Sequence, residues 1–250
     1  MRFKAIYAST AGKRHSFRGI ECQDYVLVEN TQNSLTAALA DGAGSKKYAA
    51  ESARICCQTA ISLVSPITAD EAYEMKEGFS NHLNSRFINE VEGFNEEEYG
   101  STLLLLKADT DGHAFWSHIG DGIILLKNKG EWRALSLPDN GSYINETFLI
   151  PSKDAYKNFR FEQLCLEPND TVILVSDGLS DLLYDPAEKK AANVCNILER
   201  ICRENKGSRG NEIISTELKE FFSMYTDDDM SMIVLSAFDG TASKEEGNAF

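Results

Sequence analysis

The chain has little of what would divide, anchor or staple it. Only 5 prolines occur in 250 residues, and no proline-rich or Gly/Ser-rich stretch separates one half from the other, so one folded unit is expected. No apolar run approaches the roughly 20 residues that span a bilayer. The opening Met1-Arg2-Phe3-Lys4-Ala5-Ile6-Tyr7 lacks the apolar core of a secretory signal and reads as a short strand. A cytoplasmic protein with no membrane partner is therefore expected. None of the 6 cysteines (Cys22, Cys56, Cys57, Cys165, Cys195, Cys202) forms a CxxC pair, which argues against a zinc knuckle or a redox motif. Cys56, Cys57, Cys195 and Cys202 fall in helical apolar patterns and read as buried free thiols, while Cys22 stands among functional-looking neighbours. Basic residues are also in deficit. With 25 Lys and Arg against 39 Asp and Glu, the formal net charge is −14. Such a chain repels phosphate backbones and anionic membranes, so no nucleic acid is expected as a partner.

What is present is an ordered series of short apolar runs and turn signals. Phe3–Ser9, Tyr25–Glu29 and Leu35–Ala40 read as strands. Helical spacing follows over Tyr48–Val64 and Asp70–Glu92. Strands return at Ser101–Ala108, His113–Ile119, Ile123–Lys127 and Glu131–Leu137. They are joined by Asp109-Thr110-Asp111-Gly112, Gly120-Asp121-Gly122 and Asn128-Lys129-Gly130, which supply the residues that tight hairpins need for positive φ. Phe159–Leu166 and Thr171–Ser176 are strands again, Asp185–Glu204 and Asn211–Met224 helices, and Ser231–Ala237 a last strand. The hairpins exclude a purely parallel arrangement. An α+β layered domain over 1–238 is expected, two packed sheets flanked by helices, with a C-terminal tail over 239–250.

Acidic residues recur at the strand ends: Gln23-Asp24, Asp41-Gly42-Ala43-Gly44, Gly120-Asp121-Gly122, Asp177-Gly178 and Asp227-Asp228-Asp229. Leu39-Ala40-Asp41 and Val175-Ser176-Asp177 share one design, in which a buried strand ends in Asp and a glycine lets the chain turn away. One Asp-Gly is an ordinary turn signal. Carboxylates brought to one rim from several strands would repel one another unless cations sat among them, and all-oxygen sites suit Mg²⁺ and Mn²⁺.

These motifs resemble those of a bacterial branch of the type 2C (PPM) serine/threonine phosphatases. Gly12-Lys13-Arg14-His15-Ser16-Phe17-Arg18-Gly19-Ile20-Glu21-Cys22-Gln23-Asp24 is similar to the opening motif, and Ala38 to Ser45 resembles the first metal loop. Gly100-Ser101-Thr102 and His118-Ile119-Gly120-Asp121-Gly122 resemble the central strand pair. Val175 to Asp181 and Asp228-Asp229-Met230-Ser231 resemble the two closing motifs. The resemblance implies a four-layer αββα sandwich of two mainly antiparallel sheets with a metal cleft at one end. It implies two Mn²⁺ or Mg²⁺ ions with room for a third, activating a water that attacks phosphorus with no phosphoenzyme. By that match Asp41, the Gly42 carbonyl, Asp177 and Asp228 hold metal. Asp121 and Asp181 are candidates for the third position, Asp24 is a partner of metal-held water, and Asp229 is a further candidate. Ser45 and Ser176 flank these motifs and read as structural hydrogen-bonders.

Three departures stand out. Gln23 replaces the Glu that ligates the second metal in many members, bringing an oxygen but no charge. Ala43 stands where eukaryotic members have a His, which leaves His15 as the candidate proton donor, whereas His118 reads as structural. The usual phosphate-binding Arg falls in the register of Gly19, so Arg14 and Arg18 are both candidates. Tyr143, Asn145 and Thr147 lie in the flap register and suit substrate contact. The expected substrate is phosphoserine or phosphothreonine in a protein, with a cognate serine/threonine kinase as partner and a monomeric enzyme. The alternatives are a catalytically weak member that binds phosphoproteins and a hydrolase of a small phosphorylated metabolite.

Overall fold

A computed structural model describes residues 1–139, 147–152, 155–205 and 207–240. Strands β1 (Arg2–Thr10), β2 (Asp24–Asn30), β3 (Ser34–Asp41), β4 (Leu103–Asp109), β5 (His113–Ile119), β6 (Ile123–Asn128), β7 (Glu131–Ser136), β8 (Arg160–Cys165), β9 (Thr171–Val175) and β12 (Met230–Phe238) build two five-stranded sheets. One has the order β1-β12-β9-β6-β7, the other β2-β3-β4-β5-β8. Every pairing is antiparallel. The β6–β7 hairpin turns through Lys129 (φ 51°) and Gly130 (φ 88°), the positive φ pair that its sequence predicts.

The strands read as unbroken apolar runs because both faces of each sheet are covered. Alternate residues divide between two cores, as the two-residue pleat requires. Leu104 and Leu106 of β4 meet Val172 and Leu174 of β9 and Ile233 and Leu235 of β12 between the sheets. Leu103 and Leu105 face outward, into a core shared with α2 (Ala49–Val64), α3 (Ala69–Glu74) and α4 (Lys76–Glu90). Ile173, Val175, Met232 and Val234 face the opposite way, against α5 (Asp177–Leu183), α6 (Val194–Glu204) and α7 (Ser208–Glu220). The layers are therefore αββα, as expected. Burying one such leucine contributes about 1.5–3 kcal/mol.

The structure departs from the sequence reading at its shorter elements. The helix expected over 70–92 starts at a capping box, with the Thr68 Oγ1 accepting from Glu71 N–H at 3.2 Å and Glu71 Oε2 accepting from Thr68 N–H at 2.8 Å. It then breaks at Met75 (ψ −3°), where packing passes from β5 and β8 to α2. The helix expected from Asp185 begins at Val194. Pro186 disfavours a helical Asp185, whose Oδ1 accepts from the Ala187 and Glu188 N–H groups, and the pair β10 (Tyr184–Asp185) and β11 (Lys190–Ala191) forms first. Helices α5 and α1 (Lys13–Arg18) were not foreseen. The latter buries no side chain, so it has no apolar stripe to betray it. Cys56, Cys57, Cys195 and Cys202 are buried free thiols, as read from their pattern.

Candidate metal centre

Both sheets send an aspartate to the same end of the sandwich. Asp41 is the last residue of β3, Asp177 follows β9 directly and opens α5, and Asp121 sits where the chain crosses from β5 to β6. One carboxylate oxygen from each of the three lies within 4.8 Å of the other two. They line a cleft of about 550 Å³ together with Gln23, Thr102 and Asp228, and with Arg14, His15 and Arg18 of α1.

Backbone constraints hold this rim. Asp41 donates its N–H to Thr102 Oγ1 at 3.0 Å, and Thr102 N–H donates to the Asp41 carbonyl at 2.9 Å. The next residue must be glycine, since a Cβ on Gly42 would stand 2.1 Å from the Ala49 carbonyl oxygen. The same holds after Asp177, where a Cβ on Gly178 would meet the Asp229 carbonyl oxygen at 2.1 Å. Asp177 Oδ1 accepts from Gly178 N–H at 2.6 Å. Asp121 Oδ2 accepts from Thr147 Oγ1 at 2.7 Å, while its Oδ1 is buried with no hydrogen-bond partner among the described residues. Asp24 lies opposite Asp41 in the β2–β3 register, and its Oδ2 accepts from Ser176 Oγ at 2.7 Å. That hydroxyl in turn accepts from Ser231 N–H at 3.1 Å, so Ser176 is occupied as a structural hydrogen-bonder.

Such crowding raises carboxyl pKa values. Burial, then repulsion from Asp24, Asp177 and Asp121, holds Asp41 well above the ordinary carboxylate range. Burial also pushes Asp24 up to about 7, against the bonds from Ser176 and Ser231. Asp177 keeps solvent contact on its open side, but enclosure on the other is the first cause pushing it up to about 7, followed by repulsion from Asp121 and Asp228. Among the described residues no Lys or Arg pairs with Asp41, Asp121 or Asp177. Three convergent oxygen donors, no balancing side-chain cation and an orphaned Asp121 oxygen fit a hard divalent cation.

The other residues singled out from sequence are placed as follows. Asp228 is exposed in the same cleft, its Oδ1 turned onto Asp229 N–H at 3.0 Å. Asp229 is buried, and its two oxygens accept from Gly12 N–H at 2.7 Å and Gln23 N–H at 2.6 Å. It thereby ties the α1 segment to the turn before β12. His15 Nδ1 lies 2.9 Å from Asp229 Oδ1, and Arg14, His15 and Arg18 all line the cleft. Gln23 lines it too. Asp181, one turn along α5, is exposed and is not part of the lining. Tyr143 and Asn145 lie outside the described residues. His118 is buried, with Nδ1 2.8 Å from Ser136 Oγ and 2.9 Å from Arg160 Nη2. Burial and then Arg160 hold it well below the usual imidazole range, so it is a neutral structural group, as read. The Thr102 and Thr147 hydroxyl contacts to Asp41 and Asp121 were not anticipated. Both arise from neighbours across the fold, for which the local sequence carries no signal. Among the described residues no helix is long and apolar enough to cross a membrane.

Comparison with known proteins agrees with this architecture. The family profile described as Protein phosphatase 2C matches residues 11–223. Serine/threonine-protein phosphatase 3 of Escherichia coli (strain K12) is 27% identical over 167 residues, which is 62% of this chain and 65% of that one. The match thus spans slightly less than two thirds of the relative. Among solved structures, PppA, described as a key regulatory component of T6SS in Pseudomonas aeruginosa, superposes with a TM-score of 0.67 at 16% identity, over 95% of this chain and 99% of that one. The catalytic domain of the serine/threonine protein phosphatase PstP, solved with 2 manganese ions, gives 0.65 at 15% identity over the same shares.

Proposed function

Because the chain belongs to the protein phosphatase 2C family, we propose that it hydrolyses phosphoserine and phosphothreonine in proteins, using Mn²⁺ or Mg²⁺ held in the acidic cleft. The observation that carries the reading is the meeting of Asp41, Asp121 and Asp177 within 4.8 Å at one rim. Asp41, the Gly42 carbonyl, Asp177 and Asp228 are the proposed ligands of two ions. Asp121 is the proposed ligand of a third, with Gln23 and Asp24 orienting water. When bound, the cations would acidify water and offset charge on the phosphoryl oxygens.

The chain's own groups supply the rest. Arg14 and Arg18 are exposed on the cleft wall with no carboxylate partner among the described residues, so a guanidinium fork is available for the phosphate dianion. His15, whose Nδ1 lies 2.9 Å from Asp229 Oδ1, is the proposed donor of a proton to the leaving oxygen. Neither Ser176 nor Cys22 is set up to compete with water as a nucleophile. Ser176 is engaged by Asp24 and by the Ser231 N–H, while burial and the nearby Asp24 and Asp229 raise the Cys22 thiol far above its ordinary value. The natural partners are then a phosphorylated protein and the serine/threonine kinase that made it.

The test is release of phosphate from a phosphothreonine peptide with Mn²⁺, Mg²⁺ or EDTA, comparing wild type with Asp177→Asn. Metal-dependent release that the variant loses is the expected result. Well-folded protein that releases nothing with either metal would leave phosphoprotein binding without turnover as the function.

A further inference from the structure

The wall of the cleft continues into a surface that the hydrolytic chemistry does not use. Helix α1 lends Arg14, His15 and Arg18 to the acidic cleft. It ends at Gly19 in the left-handed conformation (φ 67°), with the Ile20 N–H donating to the His15 carbonyl at 3.0 Å. The chain then enters a second groove of about 560 Å³, walled by Gly19, Ile20, Glu21, Lys47 and Tyr48, and Gln23 lines both hollows. Phe17 stands three residues beyond Arg14 on α1, hence beside it, and its side chain is 94% exposed. Ile20 is 37% and Phe94 61% exposed, and the Phe94 ring meets Tyr48 edge-on at 6.2 Å. The Lys47 ammonium sits 4.7 Å from the centre of the Tyr48 ring.

These apolar groups ride on an anchored backbone. Asp229 accepts from the N–H groups at both ends of the α1 segment, Gly12 and Gln23, and Arg14 N–H donates to the Asp227 carbonyl at 3.2 Å. A large apolar side chain left in water on a pinned element beside a reactive cleft suits docking, because little order remains to be imposed on binding. Resting on the phosphatase reading, we infer that Phe17 and Ile20, with the groove walled by Lys47 and Tyr48, dock the substrate's polypeptide beside the phosphoresidue and select an apolar side chain there. The occupant is argued from continuity. A chain whose phosphate reaches Arg14 and Arg18 lies against α1, and a groove sharing Gln23 with the cleft gives it a continuous way out beside that helix.

The experiment uses fluorescein-labelled phosphothreonine peptides in which a single leucine is moved through the four positions on either side of the phosphoresidue, against an all-serine background. Binding by anisotropy and kcat/KM are measured for wild type, Phe17→Ala and Ile20→Ser, with p-nitrophenyl phosphate as a substrate that has no flanking chain. At one or two positions wild type should favour leucine by about tenfold, the difference that 1.4 kcal/mol makes. Both variants should lose most of that preference and keep the p-nitrophenyl phosphate rate. Wild type without leucine preference, or variants that retain it, would overturn the docking role while leaving the phosphatase reading in place. Leucine-selective, Phe17-dependent binding without turnover of any substrate would do the reverse. Sedimentation showing a dimer that Phe17→Ala dissolves would assign the patch to a second copy of the chain and overturn the proposal.

Discussion

Asp229→Ala isolates the tie that holds α1 at the cleft. In the wild type the buried Asp229 accepts from Gly12 N–H at 2.7 Å and Gln23 N–H at 2.6 Å. Each charge-assisted bond contributes about 1.5–3 kcal/mol, so losing both costs about 3–6 kcal/mol taken alone. Removing one of the negative charges that crowd Asp24 offsets part of this, leaving a net cost of about 3 kcal/mol. That cost should appear locally, since α1 buries no side chain and its release exposes little of either core. Amide hydrogen exchange read residue by residue should then show Gly12 and Gln23 opening about a hundredfold more often, with Leu104 and Val172 in the central strands unchanged. Asp229→Asn, which keeps one acceptor, should fall between. Unaltered exchange at Gly12 and Gln23 would refute the reasoning. So would an equal rise at all four positions, which would make the tie part of the global fold.

Lys107 is 1% exposed, and its ammonium donates to Ser34 Oγ and the Ser65 carbonyl, each at 3.1 Å. Its ammonium also lies 3.8 Å from Asp109 Oδ1, so Lys107→Met, which fills the same space, should cost about 3 kcal/mol in urea unfolding and Lys107→Ala about 2 kcal/mol more, because a cavity adds to the lost pair; equal losses would contradict this. The bond to Asp70 raises the His113 pKa, and Asp70→Asn should lower its NMR titration midpoint. A raised histidine pKa stabilises the fold below the ordinary value and loses that effect as pH rises through the raised one, so any stability difference between wild type and Asp70→Asn should vanish at high pH. Gln23→Glu adds a charge to the cleft lining and should tighten Mn²⁺ binding about tenfold by calorimetry; an unchanged isotherm would put residue 23 outside the coordination sphere.

Much of the fold was legible because both faces of the central strands are buried. The Leu103-Leu104-Leu105-Leu106 run and the Thr171–Ser176 run could hardly be anything but interior strands, and the Asn128-Lys129-Gly130 turn dictated its hairpin. Elements that bury nothing, or that begin on a turn signal, were silent. Helix α1 has no apolar face, and α5 opens on the Asp177-Gly178 that reads as a turn. In the site, the convergence of aspartates followed from their places at strand ends. Their hydrogen-bond partners did not, since Thr102 is 61 residues from Asp41 and Thr147 is 26 from Asp121. Only the folded register joins them. The resemblance set Asp228 among the metal ligands and Asp229 apart as a further candidate, but the local sequence carried no sign that the Asp229 oxygens face two backbone N–H groups while the Asp228 carboxylate stays in the cleft.

That division between neighbours bears on how so acidic a rim can exist before any cation arrives. Asp41 comes from one sheet, Asp177 from the other and Asp121 from the crossing between them, so mutual repulsion among the three would tend to part the sheets at this end. The inter-sheet core opposes the parting, with Leu39, Leu104, Ile124 and Leu174 buried near the same strand ends. The hydroxyls of Thr102, Thr147 and Ser176 and the Gly178 N–H hold the surrounding aspartates in place without adding charge. Because those partners carry no charge, the rim is left to be neutralised by protons or by a ligand cation instead of by an internal salt bridge. A divalent cation would relieve the repulsion and the raised proton affinities together, so metal should stabilise this end of the sandwich as well as equip it for catalysis.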